Sequence, residues 1–287
     1  MNRWIANARI CLEMIKFEHT VFALPFALLG AFLAARGAPP TRVLFWIAVA
    51  MLGARSAAMA FNRWADRSFD AENPRTSGRA LPRRLVSAGF VLGFTVFFAA
   101  VFFLAAWQLN WLTLALAPLA LVIVLAYSYT KRFTAMSHFF LGLALAVAPV
   151  GGWIAVRGEV SLEPWLLALC VLLWVSGFDL IYACQDVEFD RGRGLYSIPA
   201  RFGVGATLGL SIGLHAAMVA LLLILHHLLG LGVLSLAGIA VVAALLIYEH
   251  ALVRPDDLSR VNAAFFMVNG IISVILLIFI GADLMWR

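Results

Sequence analysis

Residues 61–82 read FNRWADRSFDAENPRTSGRALP and hold three acidic residues and four arginines, directly after a long apolar run. The whole chain is 64% hydrophobic and only 13% charged, so this concentration of charge stands out. A composition this apolar excludes an ordinary soluble globular domain. We therefore interpret the stretch as the place where a membrane-embedded chain meets water and holds a polar ligand.

Nine apolar runs, each of about the length that crosses a bilayer as a helix, follow one another along the chain. They lie near residues 20–36, 42–62, 84–106, 110–129, 137–157, 164–184, 204–227, 230–253 and 261–284. We predict an all-α integral membrane protein with nine transmembrane helices in a single domain, residues 1–287. No cleavable signal peptide is expected, because charges recur throughout Met1–Glu18.

The positions of lysine and arginine predict the orientation, because cytoplasmic loops carry an excess of positive charge. If the N-terminus is cytoplasmic, sixteen of the 21 basic residues fall inside. The four that fall outside are Arg36, Arg42, Arg157 and Arg287, and Arg55 lies within a span. The net charge of +6 is thus mainly a topology signal, and nucleic acid is not an expected partner.

Seven of the fifteen acidic residues lie in two short stretches, each at the cytoplasmic end of a predicted span. The first stretch is residues 61–82 and the second is residues 179–203. In the first, the polar residues recur every four positions, at Asn62, Asp66 and Asp70. In the second, they recur every three or four positions, at Asp179, Tyr182, Asp186 and Asp190. These spacings put each set on one face of a helix.

Paired carboxylates that face each other need cations, since like charges four apart on a helix repel. Mg²⁺ suits this need, because it takes oxygen ligands and joins carboxylates to substrate phosphates. Basic side chains could bind the remaining phosphate oxygens: Arg67, Arg75, Arg79, Lys131, Arg132, Arg191, Arg193 and Arg201. An ion-paired surface loop is the alternative for one stretch alone. Two such stretches, together with an arginine inside a span (Arg55), favour a binding site.

The amino-acid sequences of both stretches resemble the signature motifs of the UbiA family of membrane prenyltransferases. The matching segments are Asn62-x-x-x-Asp66-x-x-x-Asp70 with Asn73-Pro74-Arg75-Thr76, Tyr127-Ser128-Tyr129-Thr130-Lys131-Arg132, and Gln185-Asp186-x-x-x-Asp190 with Ser197-x-Pro199. The resemblance implies nine helices around a central cavity that opens to lipid. It also implies transfer of a prenyl chain from a prenyl diphosphate to an aromatic acceptor, with Mg²⁺.

The resemblance also implies roles for particular residues. Asn62, Asp66 and Asp70 would serve one metal site, and Asp186 and Asp190 the other. Arg55, Lys131 and Arg132 would bind the diphosphate or help it to leave. Further candidates for substrate binding are Tyr127, Tyr182, Asp179, Arg67 and Ser197. The aromatic rings near this depth, at Trp64, Tyr127, Tyr129 and Tyr182, could stabilise an allylic cation.

The acceptor is less well defined than the reaction. The sequences of the two stretches resemble those of a 4-hydroxybenzoate polyprenyltransferase branch of the family. Membership of that branch would place the chain in ubiquinone biosynthesis. Some members of that branch resemble the enzyme that prenylates 1,4-dihydroxy-6-naphthoate for menaquinone. His19, with Lys16 and Glu18, is a candidate group of the acceptor site. Arg63 departs from the family pattern, in which Asp commonly follows the Asn.

Two other classes of membrane protein fit the sequence less well. A secondary transporter would carry polar residues at the middle of the membrane on interrupted helices, whereas these carboxylates lie at helix ends. A CDP-alcohol phosphotransferase also uses aspartates and Mg²⁺, but its long Asp-Gly…Ala-Arg signature does not occur here. A prenyltransferase of the inner membrane, with its site toward the cytoplasm, is the prediction.

The predicted orientation can be tested by labelling introduced cysteines. With the N-terminus inside, Ser77→Cys should react with a membrane-impermeant maleimide only from the cytoplasmic side, and His227→Cys only from the opposite side. Intact spheroplasts and inverted vesicles provide the two sides. The reverse labelling pattern would contradict the orientation.

Overall fold

The computed structural model describes residues 3–14 and 23–286, and this part of the chain is helical, without a β-strand. The elements are α1 (Arg3–Met14), α2 (Leu24–Ala35), α3 (Thr41–Ala65), α4 (Arg67–Glu72), α5 (Ala88–Leu109), α6 (Trp111–Thr130), α7 (Ser137–Arg157), α8 (Glu163–Ala183), α9 (Val187–Arg193), α10 (Ile198–Phe202), α11 (Val204–Leu228), α12 (Val233–Leu252), α13 (Val261–Ala263) and α14 (Asn269–Trp286).

Eight of the described helices are long and apolar enough to cross a membrane, so the chain is a multi-pass membrane protein. Twenty residues of helix span about 30 Å, which is the thickness of the hydrocarbon core. Helix α2 has only twelve described residues, and residues 20–22 of the predicted first span lie outside the described part. The all-α membrane fold is therefore confirmed. The count of nine spans and the cytoplasmic N-terminus remain predictions.

The spans pack in two circuits that share the contact between α2 and α7. One circuit runs through α2, α7, α8, α11, α12 and α14 and closes on α2, and the other runs through α2, α3, α5, α6 and α7. Trp174 of α8 lies in the core of the first circuit, where its ring is 5.1 Å from that of Phe26. Large apolar side chains such as Phe97 and Ile247 remain exposed, as expected for a surface that faces lipid.

Small residues set the close crossing of α2 and α7. A Cβ atom placed on Gly152 would lie 1.9 Å from the carbonyl oxygen of Ala27, and one on Gly30 would lie 2.1 Å from that of Pro149. Lipid tails are as apolar as the side chains they replace, so membrane helices associate mainly through such close contact. This crossing holds the two circuits together.

Helix ends are secured by side chains that cap them. Asn110 accepts a hydrogen bond from the Thr113 amide at the start of α6, and its own amide nitrogen donates to the Ile154 carbonyl of α7 at 2.8 Å. One residue thus starts a helix and fastens it to a neighbour. This matters because uncapped backbone groups near lipid are costly.

The α2–α7 crossing predicts a specific sensitivity to a single methyl group. Gly152→Ala should lower the melting temperature in detergent by several degrees, because overpacking at a backbone contact costs about 1–3 kcal/mol. Gly151→Ala is the matched control, since a Cβ there meets no atom within 4 Å. Equal melting temperatures for the two variants would contradict the role given to this crossing.

Candidate functional site

The first stretch is not one continuous helix. Helix α3 ends at Ala65, and Asp66, with φ −91° and ψ 5°, joins it to the short helix α4. The predicted single helical face of Asn62, Asp66 and Asp70 is therefore wrong in detail, because the backbone bends at the middle residue. Asn62 and Asp66 nevertheless remain in contact, with the amide nitrogen of Asn62 donating to Asp66 Oδ2 at 3.1 Å.

The second stretch tightens where it leaves the membrane. Helix α8 ends at Ala183, a 3₁₀ turn spans Cys184–Asp186, and α9 begins at Val187. Asp186 and Asp190 are both buried, and the side chain of Asp190 is fully so. Such 3₁₀ turns are common at helix ends and as connectors between helices.

The structure brings the two stretches together at one end of the bundle. Arg75 of the first stretch donates from Nε to Asp186 Oδ1 at 2.9 Å and from a terminal nitrogen to Asp186 Oδ2 at 2.5 Å. Asn73 donates to the same Oδ1 at 3.1 Å, and Arg193 forms an ion pair with Glu72. The predicted meeting of the two stretches is thus confirmed, with Arg75 as the main bridge.

Each carboxylate in the two aspartate pairs lies against a cation. The ion pairs, with their nitrogen–oxygen distances, are Arg132–Asp66 (3.5 Å), Arg63–Asp70 (3.5 Å), Arg79–Asp70 (2.6 Å), Arg75–Asp186 (2.5 Å) and Lys131–Asp190 (2.8 Å). Arg63 therefore pairs with Asp70, and not with Asp66 as its i+3 spacing suggests. Arg63 and Asp70 lie on either side of the bend at Asp66.

Burial sets the proton affinity of the first aspartate pair. Loss of water raises the pKa of Asp70 to about 6, although Arg63 works in the opposite direction. Burial likewise raises the pKa of Asp66, against the charges of Arg63 and Arg132. A carboxylate whose charged form is penalised in this way gains most from a bound cation.

Three buried carboxylate oxygens at this end accept no hydrogen bond from the described residues: Asp70 Oδ2, Asp190 Oδ1 and Asp190 Oδ2. Lys131 Nζ lies near Asp190 Oδ1, but it is an ion-pair contact without the alignment of a hydrogen bond. Unsatisfied carboxylate oxygens fit a hard divalent cation. No three acidic, histidine or cysteine side chains of the described part form a closed metal site, so water or substrate oxygens must complete any coordination shell.

Arg55 and Tyr127 form a polar pair further from the helix ends. Both side chains are half-buried, and each lies within electrostatic range of the other. The Tyr127 hydroxyl lies within electrostatic range of Arg55, Asp66 and Asp179. Within the described residues, Arg55 has neither an ion pair nor a hydrogen bond. An intramembrane cation without a partner is suited to an anionic ligand.

Aromatic rings line the path from the charged end into the bundle. The Tyr182 hydroxyl accepts a hydrogen bond from Arg75 at 2.9 Å, and its ring lies 4.3 Å from that of Phe265. Phe265 in turn lies 5.1 Å from Phe178, which lies 4.9 Å from Trp174. Two phenylalanines that no motif indicated, Phe178 and Phe265, thus continue the series of rings that begins at Tyr182.

Some predicted candidates have other tasks, or lie outside the described residues. The Arg67 side chain donates to the Trp64 carbonyl at 2.7 Å and stacks on that ring, away from the acids. The Ser197 hydroxyl caps α10 by accepting from the Ala200 amide. His19, with Lys16 and Glu18, falls in residues 15–22, outside the described part.

One polar pair was missed by the sequence analysis. His138 Nδ1 lies 2.7 Å from Asp179 Oδ2, which joins α7 to α8 below the charged end. Asp179 was already a candidate, but His138 has no spacing relation to either stretch. Only the crossing of α7 and α8 reveals it.

Comparisons with known proteins agree with this geometry. The model of the UbiA prenyltransferase family matches residues 23–271. A 4-hydroxybenzoate octaprenyltransferase of Nitrosospira multiformis is 33% identical over 242 residues, covering 84% of this chain and 83% of that protein. An enzyme with the same name from Xanthomonas campestris is 33% identical over 255 residues, covering 89% and 84%.

Solved structures show the same fold. A UbiA homologue from Aeropyrum pernix superposes with a TM-score of 0.85 at 37% identity, covering 93% of this chain and 98% of that one. A UbiA homologue from Archaeoglobus fulgidus, bound to DMAPP and Mg²⁺, gives a TM-score of 0.73 at 19% identity, covering 96% and 98%. With its two aspartate pairs brought to one end of an all-helical membrane bundle, the chain belongs to the UbiA prenyltransferase family.

Proposed function

We propose that this prenyltransferase moves a prenyl group from a prenyl diphosphate to a hydroxylated aromatic acid, with Mg²⁺ as its cofactor. The observation that carries the proposal is the pairing of four aspartates from two helix ends with five basic residues at one end of the bundle. Residues 1–287 form one transmembrane domain in this proposal.

The basic residues would receive the diphosphate. Arg75, Arg79, Lys131 and Arg132 each keep about a third of their side chains exposed, so a phosphate can reach them. Arginine and lysine bind phosphate oxygens with charge-assisted hydrogen bonds. These basic side chains now form ion pairs with the aspartates. When they bind phosphate instead, the aspartate oxygens become available to bind a metal ion.

The unsatisfied oxygens support a metal role for the aspartates. Asn62, Asp66 and Asp70 would hold Mg²⁺ on one side, and Asp186 and Asp190 on the other. A Mg²⁺ ion held by these residues would supply positive charge to offset the negative charge on the departing diphosphate. The chain's own part is to position the diphosphate at the helix ends, to keep water away from the prenyl carbon, and to surround that carbon with Tyr182, Phe265 and Phe178.

The acceptor would lie deeper than the diphosphate. Arg55 precedes Asn62 by seven residues, which is about 10 Å along a helix at 1.5 Å per residue. Its guanidinium, which has no ion pair or hydrogen bond within the described residues, fits the carboxylate of an aromatic acid. The names of the relatives support 4-hydroxybenzoate. Because 1,4-dihydroxy-6-naphthoate has the same two functional groups, it is the second candidate.

The test of the reaction is direct. Membranes that contain the protein are incubated with Mg²⁺, with farnesyl or longer diphosphates, and with a panel of hydroxybenzoates and dihydroxynaphthoates. Mass spectrometry should detect an acceptor that has gained one prenyl group. Absence of product across the panel, while the protein is folded, would contradict the proposal. The proposed location is the inner membrane, with the site toward the cytoplasm.

The metal role predicts the effect of removing single carboxylates. Asp66→Ala, Asp70→Ala, Asp186→Ala and Asp190→Ala should each lower turnover at least about 100-fold, because several kcal/mol of charge stabilisation depends on the metal. Asp256→Ala is the control, since Asp256 is an exposed acid outside the site. A chelator should inactivate the unaltered protein. Full activity in excess chelator would contradict the metal role of the aspartates.

Arg63 is predicted to be secondary. It cannot bind Mg²⁺, because a guanidinium has donors and no acceptor, and its contact with Asp70 is 3.5 Å long. Arg63→Asp should therefore change the apparent affinity for Mg²⁺ or prenyl diphosphate more than the maximal rate, and should cost far less than Asp66→Asn. Steady-state kinetics with each ligand varied separately provide the measurement. If a folded Arg63→Asp variant is as inactive as Asp66→Asn, Arg63 is essential for the reaction and the prediction is wrong.

A further inference from the structure

Asp179 differs from the four paired aspartates in its partner. The four each contact an arginine or a lysine, whereas the ionic partner of Asp179 within the described chain is His138. The Nδ1–Oδ2 distance is 2.7 Å, and an ionised Asp179 requires that Nδ1 carry the proton and donate it. The histidine is buried, but Asp179 keeps 21% of its side chain open. The carboxylate is therefore the accessible member of the pair.

The packing of α7 against α8 fixes this pair. A Cβ atom on Gly142 would lie 2.6 Å from both the Leu172 carbonyl oxygen and the Ser176 hydroxyl oxygen, so the two helices touch at that point. His138 is one turn before Gly142, and Asp179 is nearly one turn after Ser176. The close crossing thus determines how far His138 reaches toward Asp179.

The position of Asp179 matches that of the proposed acceptor. Asp179 precedes Asp186 by seven residues, just as Arg55 precedes Asn62, so both lie about 10 Å from the metal end. Tyr127 of α6 interacts electrostatically with both of them, so Arg55 and Asp179 lie within range of the same hydroxyl group. A hydroxylated aromatic acid has a carboxylate at one end, which Arg55 can bind. At the other end it has a hydroxyl group, whose proton Asp179 can accept.

Within the described residues, no lysine or arginine forms an ion pair with Asp179. The groups known to interact with it are His138 from α7 and Tyr127 from α6, and Tyr182 lies nearly one turn further along its own helix. On α11, His215 turns instead to the Trp174 carbonyl and His250. A carboxylate oriented by a histidine, without a fixed cation, has the arrangement of an oriented base.

We propose that Asp179, oriented by His138, accepts the proton of the acceptor's hydroxyl group; this inference rests on the proposed function. The O–H bond breaks to Asp179, and the more electron-rich ring attacks the prenyl carbon as its C–O bond to diphosphate breaks. The ring carbon then loses its own proton, which leaves with the diphosphate. Asp179 returns the first proton to the oxygen. Asp179 is thus a catalytic residue and His138 a positioning residue.

The test uses the purified full-length protein with Mg²⁺, a prenyl diphosphate, and a series of acceptors. The series is 4-hydroxybenzoate and ring-fluorinated 4-hydroxybenzoates, whose hydroxyl groups are progressively more acidic. Asp179→Asn should lower kcat about 100-fold with 4-hydroxybenzoate, the lower range of a general base, and leave the KM for prenyl diphosphate unchanged. Because an acidic hydroxyl needs less help, the ratio of unaltered to variant rate should shrink along the series.

His138 supplies a second arm, which keeps the test decisive if Asp179→Asn does not fold. His138→Phe keeps a ring without the hydrogen bond and should lower kcat about 10-fold, with the same dependence on acceptor acidity. His138→Asn, which keeps a donor, should restore part of that loss. Asp283→Asn is the matched control. Asp283 is a buried carboxylate near the C-terminal end of α14, and it accepts a hydrogen bond from the Gly232 amide.

The outcomes separate this inference from the proposed function. If the unaltered protein prenylates no acceptor, the proposed function fails and takes the inference with it. If the unaltered protein is active, a loss in Asp179→Asn that is equal for all acceptors, or that appears as a raised KM for prenyl diphosphate, overturns the inference alone. Unchanged activity in both Asp179→Asn and His138→Phe does so as well.

Discussion

The neutralisation of four aspartates at one end of an apolar bundle is the constraint on which the site depends. Each carboxylate is buried or partly so, and each lies against a cation from another element. The adjacent residues Lys131 and Arg132, just after α6, contact different stretches: Lys131 pairs with Asp190 of the second and Arg132 with Asp66 of the first. The end of α6 thereby joins two stretches that lie far apart in the sequence. Buried charges that lose a partner are strongly destabilising, so these pairs also fix the helix ends.

Charge decreases with depth below this end. Beyond the ion pairs lie single polar groups, Arg55 and the pair His138–Asp179, and beyond those lies the aromatic series that ends at Trp174. This gradient suits a substrate with a charged head and an apolar chain, because the head meets cations and the chain meets rings and lipid. The membrane imposes the gradient, since each unpaired charge becomes more costly toward the middle of the bilayer.

A second polar network lies beside the aromatic series and has a structural role. The Trp174 indole donates to Asn269 at 2.7 Å, and Asn269 donates to Glu249 at 2.6 Å. Asn269 follows the π-helical segment Ala264–Val268 and hydrogen-bonds two of its carbonyls, which places Phe265 against Tyr182. Buried hydrogen bonds of this kind, together with close glycine contacts, replace the hydrophobic drive that is missing in lipid. The site thus rests on packing that lies well outside it.

The sequence alone determined the membrane class, the position of the long helices and the two stretches that form the site, because apolar length and side-chain spacing are local properties. The sequence could not determine the bend at Asp66, the ion pair between Arg63 and Asp70, or the hydrogen bonds from Arg75 to Asp186. These depend on how the helix ends meet. Nor could it pair His138 with Asp179. That contact exists because Gly142 lets α7 and α8 approach closely, and the distance between two helices is a property of tertiary packing, which no spacing within one helix encodes.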